Sequence, residues 1–171
     1  YGAHGQGTLS DALLLYGEIA SSTRPWALQP PGRPDQPFAV QATSPRRTSA
    51  LLGAAYTLEN GQSLTAEYLH DGHGYTAAGE DAYFRRAIVQ PATALGLAPR
   101  LLGSDYLHFV WQSNLMDESG YWRLMLSHNL TDHGSELAGD GEPVLSQKVS
   151  AYGQIVLPQG NAHQEFSALL R

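Results

Sequence analysis

Three short clusters in the 171-residue chain hold side chains that could do chemistry. Ser127-His128-Asn129, followed by Asp132-His133, supplies a hydroxyl, imidazoles and a carboxylate, the parts of a nucleophile, a base and the group that orients the base. If the segment is a strand, Ser127 and His128 point to opposite faces, and a hydroxyl-to-imidazole bond needs a partner from another strand. Ser127, His128 and His133 are thus candidates without an assembled catalytic set, and an enzyme is not the leading expectation. His70-Asp71-Gly72-His73 carries two imidazoles and a carboxylate of the kind that bind zinc or copper. A metal needs a third or fourth ligand, which His128, His133 or Asp132 would supply only if they share the same end of the fold. The blander reading makes Gly72 a turn residue and the histidines solvated, so no metal and no cofactor is expected, with His70, Asp71 and His73 the nearest approach to a site.

Two further motifs carry less. Asn129-Leu130-Thr131 fits the glycosylation acceptor pattern, which has meaning only in a eukaryotic secretory protein. Gly139-Asp140-Gly141-Glu142 lacks the Lys and the strand-to-helix setting of a phosphate loop, and suits relief of crowding in a curved strand.

The elements that must position these residues are strands, because apolar and polar residues alternate with a period of two over most of the chain. Leu52, Ala54, Tyr56 and Leu58 alternate with Gly53, Ala55 and Thr57; across Asn60-Gly61, the strongest short hairpin signal, Leu64, Ala66 and Tyr68 alternate with Ser63, Thr65 and Glu67. Leu107, Phe109, Trp111 and Leu115 oppose His108, Val110, Gln112 and Asn114, and after a turn at Asp117-Glu118-Ser119-Gly120 the return presents Trp122, Leu124 and Leu126 against Arg123, Met125, Ser127 and Asn129. A third pair, about 135–146 and 149–157, turns near Gln147-Lys148 and is weakened by Pro143, which cannot donate to a ladder. Segments 8–20 and 162–171 bring the expected total to eight strands. Short connections alternate with long ones at about 21–47, which holds six of the ten prolines, and 76–103, where short helices are expected around 80–88 and from Pro91. No repeat and no linker divides residues 1–171, so one domain is expected.

Composition narrows the class. Charged residues make up 15% of the chain, below the roughly 25% of soluble domains, yet no apolar run approaches the roughly 18 residues of a membrane helix. There is no Cys, which removes disulfide scaffolds and thiolate chemistry. The formal net charge of -6 and the scatter of nine Arg with a single Lys, Lys148, leave no basic stripe, so nucleic acid is not an expected partner. Tyr1 in place of an initiating Met suggests a processed or excised chain.

A soluble sandwich or lipocalin-like barrel would alternate in the same way, with its apolar face inward. Such sheets carry many Lys and Glu on their wet face, whereas here that face is Ser, Thr, Gln, Asn, Gly and Tyr with occasional Glu, Asp and Arg. The apolar face carries Tyr56, Tyr68, Phe109, Trp111, Trp122 and Phe166 among Leu and Ala, as where a barrel meets lipid headgroups. On this pattern the chain resembles a bacterial outer-membrane β-barrel protein over nearly its whole length. The resemblance implies an all-β, antiparallel up-and-down β-barrel in a Gram-negative outer membrane, with those six aromatics facing lipid. Glu67, His108, Gln112, Arg123, Gln154 and Glu165 would line the lumen, joined by Glu142, Asp140 and Arg171. It also implies both chain ends at the tight-turn end and long loops at the other. The end at Arg171, without the terminal aromatic of that family, and Pro143 within a strand suit a segment of a larger barrel at least as well as a complete one. The expected function is a passive, porin-like pore or export channel with a loop-constricted mouth, acting in transport, with the lipid bilayer and a small solute or exported polymer as partners. A small structural or adhesive barrel that binds a partner through its loops, or a lipid-modifying outer-membrane enzyme centred on Ser127, His128 or His133, are the alternatives.

Overall fold

A computed structural model describes residues 1–23, 27–29, 39–41, 45–89, 101–114, 120–146 and 148–168. They form one antiparallel, up-and-down sheet with β1 (Gly2–Thr8), β2 (Leu13–Ser22), β5 (Arg47–Thr57), β6 (Ser63–Asp71), β7 (Asp105–Gln112), β8 (Gly120–Asn129) and β9 (Ser135–Ser146) side by side in that order. β10 (Val149–Ser150) and β11 (Gly153–Gln159) both pair with β9 and complete an eighth strand position. A separate hairpin, β3 (Ala27–Gln29) with β4 (Ala39–Gln41), lies within the first long connection. Among the described residues the sheet is open, with β1 and β11 at its edges, and is compatible with a segment of a barrel wall.

Register turns the alternation into two chemically distinct faces. One cross-strand row reads Leu15, Ala54, Ala66, Phe109, Leu126, Leu137 and Leu157; the next on that face reads Leu13, Tyr56, Leu64, Trp111, Leu124, Gly139 and Ile155. Between them on the opposite face runs Leu14, Ala55, Thr65, Val110, Met125, Ala138 and Val156, flanked by a polar row of Tyr16, Gly53, Glu67, His108, Ser127 and Glu136. At Gly61 the backbone takes φ +82°, which glycine adopts without strain, and Gln62 N–H donates to Asn60 Oδ1 at 3.1 Å to close the hairpin. Gly53 instead makes room for a neighbour, since a Cβ there would run into the Tyr16 ring, which lies across the bare backbone of the adjacent strand.

The two helices lie on the polar side, at the end with the long connections. α1 (Ala77–Val89) is capped by Thr76, whose hydroxyl accepts from Gly79 N–H at 3.3 Å. α2 (Glu165–Ala168) starts where Asp132 Oδ2 accepts the Glu165 N–H at 2.6 Å. Tyr83, Phe84 and Leu102 form the buried cluster between them and the sheet, with Tyr75, Ala87 and Ala168 packed against it.

Several expectations are corrected. Of the strand expected over 8–20, residues 13–20 are in β2, whereas 8–12 are the end of β1 and a turn, in which Ser10 Oγ accepts from Ala12 and Leu13 N–H. β1 left no alternating pattern because Gly2, Gly5 and Gly7 interrupt it. The strand expected over 162–171 is the Asn161 turn followed by α2, since a short apolar-polar run satisfies either period and here Asp132 supplies a helix cap. With a strand gained at the start and one lost at the finish, Tyr1 and Gln159 both lie at the long-connection end, where the Tyr1 amine donates to Ser21 O at 2.9 Å. The strand expected over 149–157 is split into β10 and β11, with a register shift at Val149/Ser150, whose partners on β9 are Ser146 and Val144. The helix expected around 80–88 is present as α1, whereas the one from Pro91, the turn at 117–119 and Arg171 lie outside the described residues.

Candidate functional site

The polar face is a set of cross-strand pairs whose members sequence spacing alone could not match. Tyr16 O–H on β2 donates to Glu67 Oε1 on β6, over the gap left by Gly53 on β5. One row position further, His108 Nδ1 and Ser127 Oγ lie 2.9 Å apart, and Arg123 Nε donates to Asp140 Oδ1 at 3.0 Å. Ser150 O–H donates to Glu142 near the tight-turn end. Gln112 and Gln154 flank the Arg123–Asp140 pair in register. Of the six expected lumen residues, Glu67, His108, Gln112, Arg123 and Gln154 therefore share this face, and Glu165 does not line it as a strand residue. It is carried by α2 and buried beneath the helices, because the segment that holds it is not a strand.

On the opposite face, Tyr56, Tyr68, Phe109, Trp111 and Trp122 stand together, with Trp111 and Trp122 edge-to-face at 5.0 Å between centroids. Phe166 is the exception. It sits on α2 against Tyr106, at 6.5 Å between ring centroids, on the polar side of the sheet. Tyr56, Leu64, Phe109, Trp111, Leu124 and Leu126 border an open apolar groove. Each is about two-fifths exposed, and none of the described helices packs over them.

The catalytic candidates are divided between faces. Ser127 pairs with His108 on the polar side, while His128 meets Ser135 Oγ at 2.8 Å on the apolar side and stacks with His133 at 6.3 Å. His108 and Ser127 are the one serine-imidazole contact of hydrogen-bond length on the polar face among the described residues, but Glu67, next in the row, is held by Tyr16 rather than by His108. The metal candidates also diverge. His70 Nδ1 lies 2.8 Å from Asp105 Oδ1, Asp71 accepts from Ser49 O–H at 2.9 Å on the other face, and His73 Nε2 reaches Ser22 O at 3.1 Å. Among the described residues no group of three or more His, Cys, Asp or Glu side chains converges to hold a metal ion.

The most enclosed chemistry lies between the helices and the sheet. Asn129 Nδ2, at the end of β8, donates to Glu80 Oε1 at 2.8 Å and to Glu165 Oε2 at 3.0 Å. Glu165 also accepts from Tyr106 O–H at 2.6 Å and from Leu102 N–H at 2.8 Å. Both carboxyls are almost fully buried. Burial pushes Glu80 up to about 8, aided by the charges of Asp132 and Glu165 and only partly countered by the Asn129 bond. Burial raises Glu165 as well, against the bonds from Tyr106, Leu102 and Asn129. This convergence of α1, β8 and α2 was missed in the sequence; its signal was an acidic residue in the first turn of an expected helix, which named no partner.

No family model, curated protein or solved structure matches the chain.

Proposed function

We propose that the chain forms a wall of a bacterial outer-membrane β-barrel that acts as a passive pore or export channel, with the aromatic-rich face toward lipid and the polar face toward an aqueous lumen. The observation that carries this reading is the segregation across the sheet. Seven strand positions place Leu, Ala and Phe in one continuous row, while the strand carboxylates Glu18, Glu67, Asp71, Glu136, Asp140 and Glu142 fall on the other face; among the described strands the exception is Asp105, at the long-connection end of β7, where Tyr68 O–H and His70 meet it. In water, an exposed apolar area of this extent would be covered by a second layer or a partner. In hydrocarbon it is the favoured surface, and Trp and Tyr among the aliphatics fit the headgroup boundary.

The open edges fit the same account. Unpaired N–H and C=O groups along β1 and β11 cost several kcal/mol apiece in lipid, so the sheet would close on itself or on further strands. β1 runs away from the long-connection end and β11 runs toward it, so the two edges are antiparallel and an even number of added strands preserves the ladder. Both helices stand on the polar face at the long-connection end, where they would narrow the opening.

Planar-bilayer recording tests the function. Discrete conductance steps from the refolded chain, or from a longer chain that contains it, are the expected result. A bilayer that stays silent although the protein is inserted and folded would remove the channel reading and leave a structural barrel.

A further inference from the structure

We propose that α1 and α2 form a proton-held plug on the inner wall, locked by Asn129 bridging Glu80 and Glu165 and released when these buried acids ionise. The proposal rests on reading the polar face as the lumen wall, and it assigns a regulation to that mouth.

The two acids are unequally supported: Glu165 accepts three hydrogens and Glu80 one, so a charge on Glu80 is the one this geometry holds least well. A single amide nitrogen serves both acids, so each receives one hydrogen from Asn129. The second oxygen of Glu80 has no partner although its residue is 0% exposed. An ionised carboxylate left so incompletely bonded would be costly, whereas a protonated one is a small neutral group. Among the described residues no Lys or Arg forms an ion pair with Glu80, Glu165 or Asp132.

The groups around the pair come from every packed element. β7 contributes the Tyr106 hydroxyl, and the turn after β8 contributes Asp132. α1 itself contributes Tyr83, which lies 6.1 Å from Tyr75 between ring centroids, and α2 contributes Glu165, preceded by His163. Asp81 and Arg85 pair with each other on the exposed side of α1. Thus Asp132 adds a third acid, and among the described residues no Lys or Arg pairs with it.

A second observation locates the weak point. The three buried side-chain atoms without a hydrogen bond among the described residues are Glu80 Oε2, His163 Nδ1 and Ser167 Oγ, and all three belong to α1, α2 or the turn before α2. Each such group is desolvated without a bond in return, so this junction is held less firmly than the laddered strands beside it. The strands beneath are held by continuous ladders, so the helices can leave while the wall stays.

The direction with pH follows from the raised carboxyls. A group whose folded value exceeds its unfolded one gives stability that is fully present below the unfolded value and is lost as pH rises through the folded value. For Glu80 that window runs from 4.5 to about 8, and Glu165 acts in the same sense. Acid therefore locks the plug and mild alkali frees it.

Hydrogen exchange of the full chain, refolded in detergent micelles and followed from pH 5.5 to 8.5 with protection corrected for intrinsic rates, is the test. The expected result is a fall of at least tenfold in protection over residues 77–89, with β6 to β8 unchanged, and a flattened profile in Glu80→Gln. Constant protection over 77–89 in the unaltered chain would overturn the proposal without any variant being needed. So would loss of strand protection in parallel, which would mean global unfolding, or a profile abolished by His163→Gln and kept by Glu80→Gln. Should the chain prove to fold without detergent, the same titration still reads the lock, so failure of the membrane account and failure of the plug are separable.

Discussion

Placing one charge on each face gives opposite results if the apolar face meets lipid. Phe109 lies fifth in the eight-residue strand β7, between Ala66 and Leu126 in the outer row. At roughly 3.3 Å per residue and a tilt of about 40°, β7 spans roughly 20 Å of a band about 25 Å tall, which sets Phe109 near the midplane. An arginine there costs about 2–4 kcal/mol in a membrane barrel. Gln154, on the polar face of β11 and in register with Asp140, accepts the same charge at a cost within about 0.5 kcal/mol, the range of surface substitutions. The assay is reversible denaturant unfolding of Phe109→Arg and Gln154→Arg in lipid vesicles, followed by tryptophan fluorescence. A Phe109→Arg effect under about 0.5 kcal/mol, or one matched by Gln154→Arg, would refute the assignment of faces.

Other consequences are more local. Gly53→Val drives a branched side chain into the Tyr16 ring and separates it from Glu67, so a loss of about 1–3 kcal/mol in the same unfolding assay is expected, with Gly53→Ala smaller but of the same sign. Trp122→Phe keeps the apolar area but alters the edge-to-face pair with Trp111; the tryptophan exciton signal in circular dichroism should vanish, with a cost of about 0.5–1.5 kcal/mol. Phe166→Ala removes the ring packed on Tyr106 and should raise hydrogen exchange over 165–168 without altering the strands, as read by mass spectrometry.

The parts of the fold legible in the sequence were those in which one face repels water and the other does not. β5 to β9 announce themselves through Leu52 to Leu137, because a one-residue slip would move every apolar side chain to the wrong side. β1 was silent because its glycines carry no side chain to pattern, and α2 was misread because four residues are too few to distinguish the two periods. The same limit explains the site. Parity along each strand put Glu67, His108, Gln112, Arg123 and Gln154 on one face, but their partners depend on register between strands. Across the long segment between β6 and β7, no turn sets that register. Hence Tyr16 with Glu67, His108 with Ser127, and the meeting of Glu80, Asn129 and Glu165 emerged only from the paired strands and packed helices.

Whether the apolar face meets lipid is decided by extraction and gel mobility. The chain is expressed, its solubility and dispersity compared with and without detergent, and its migration recorded before and after boiling. Folded protein is expected only in detergent or vesicles, with a band that shifts on heating. A folded, monodisperse protein in plain buffer with no heat-dependent shift would contradict the assignment of that face to lipid.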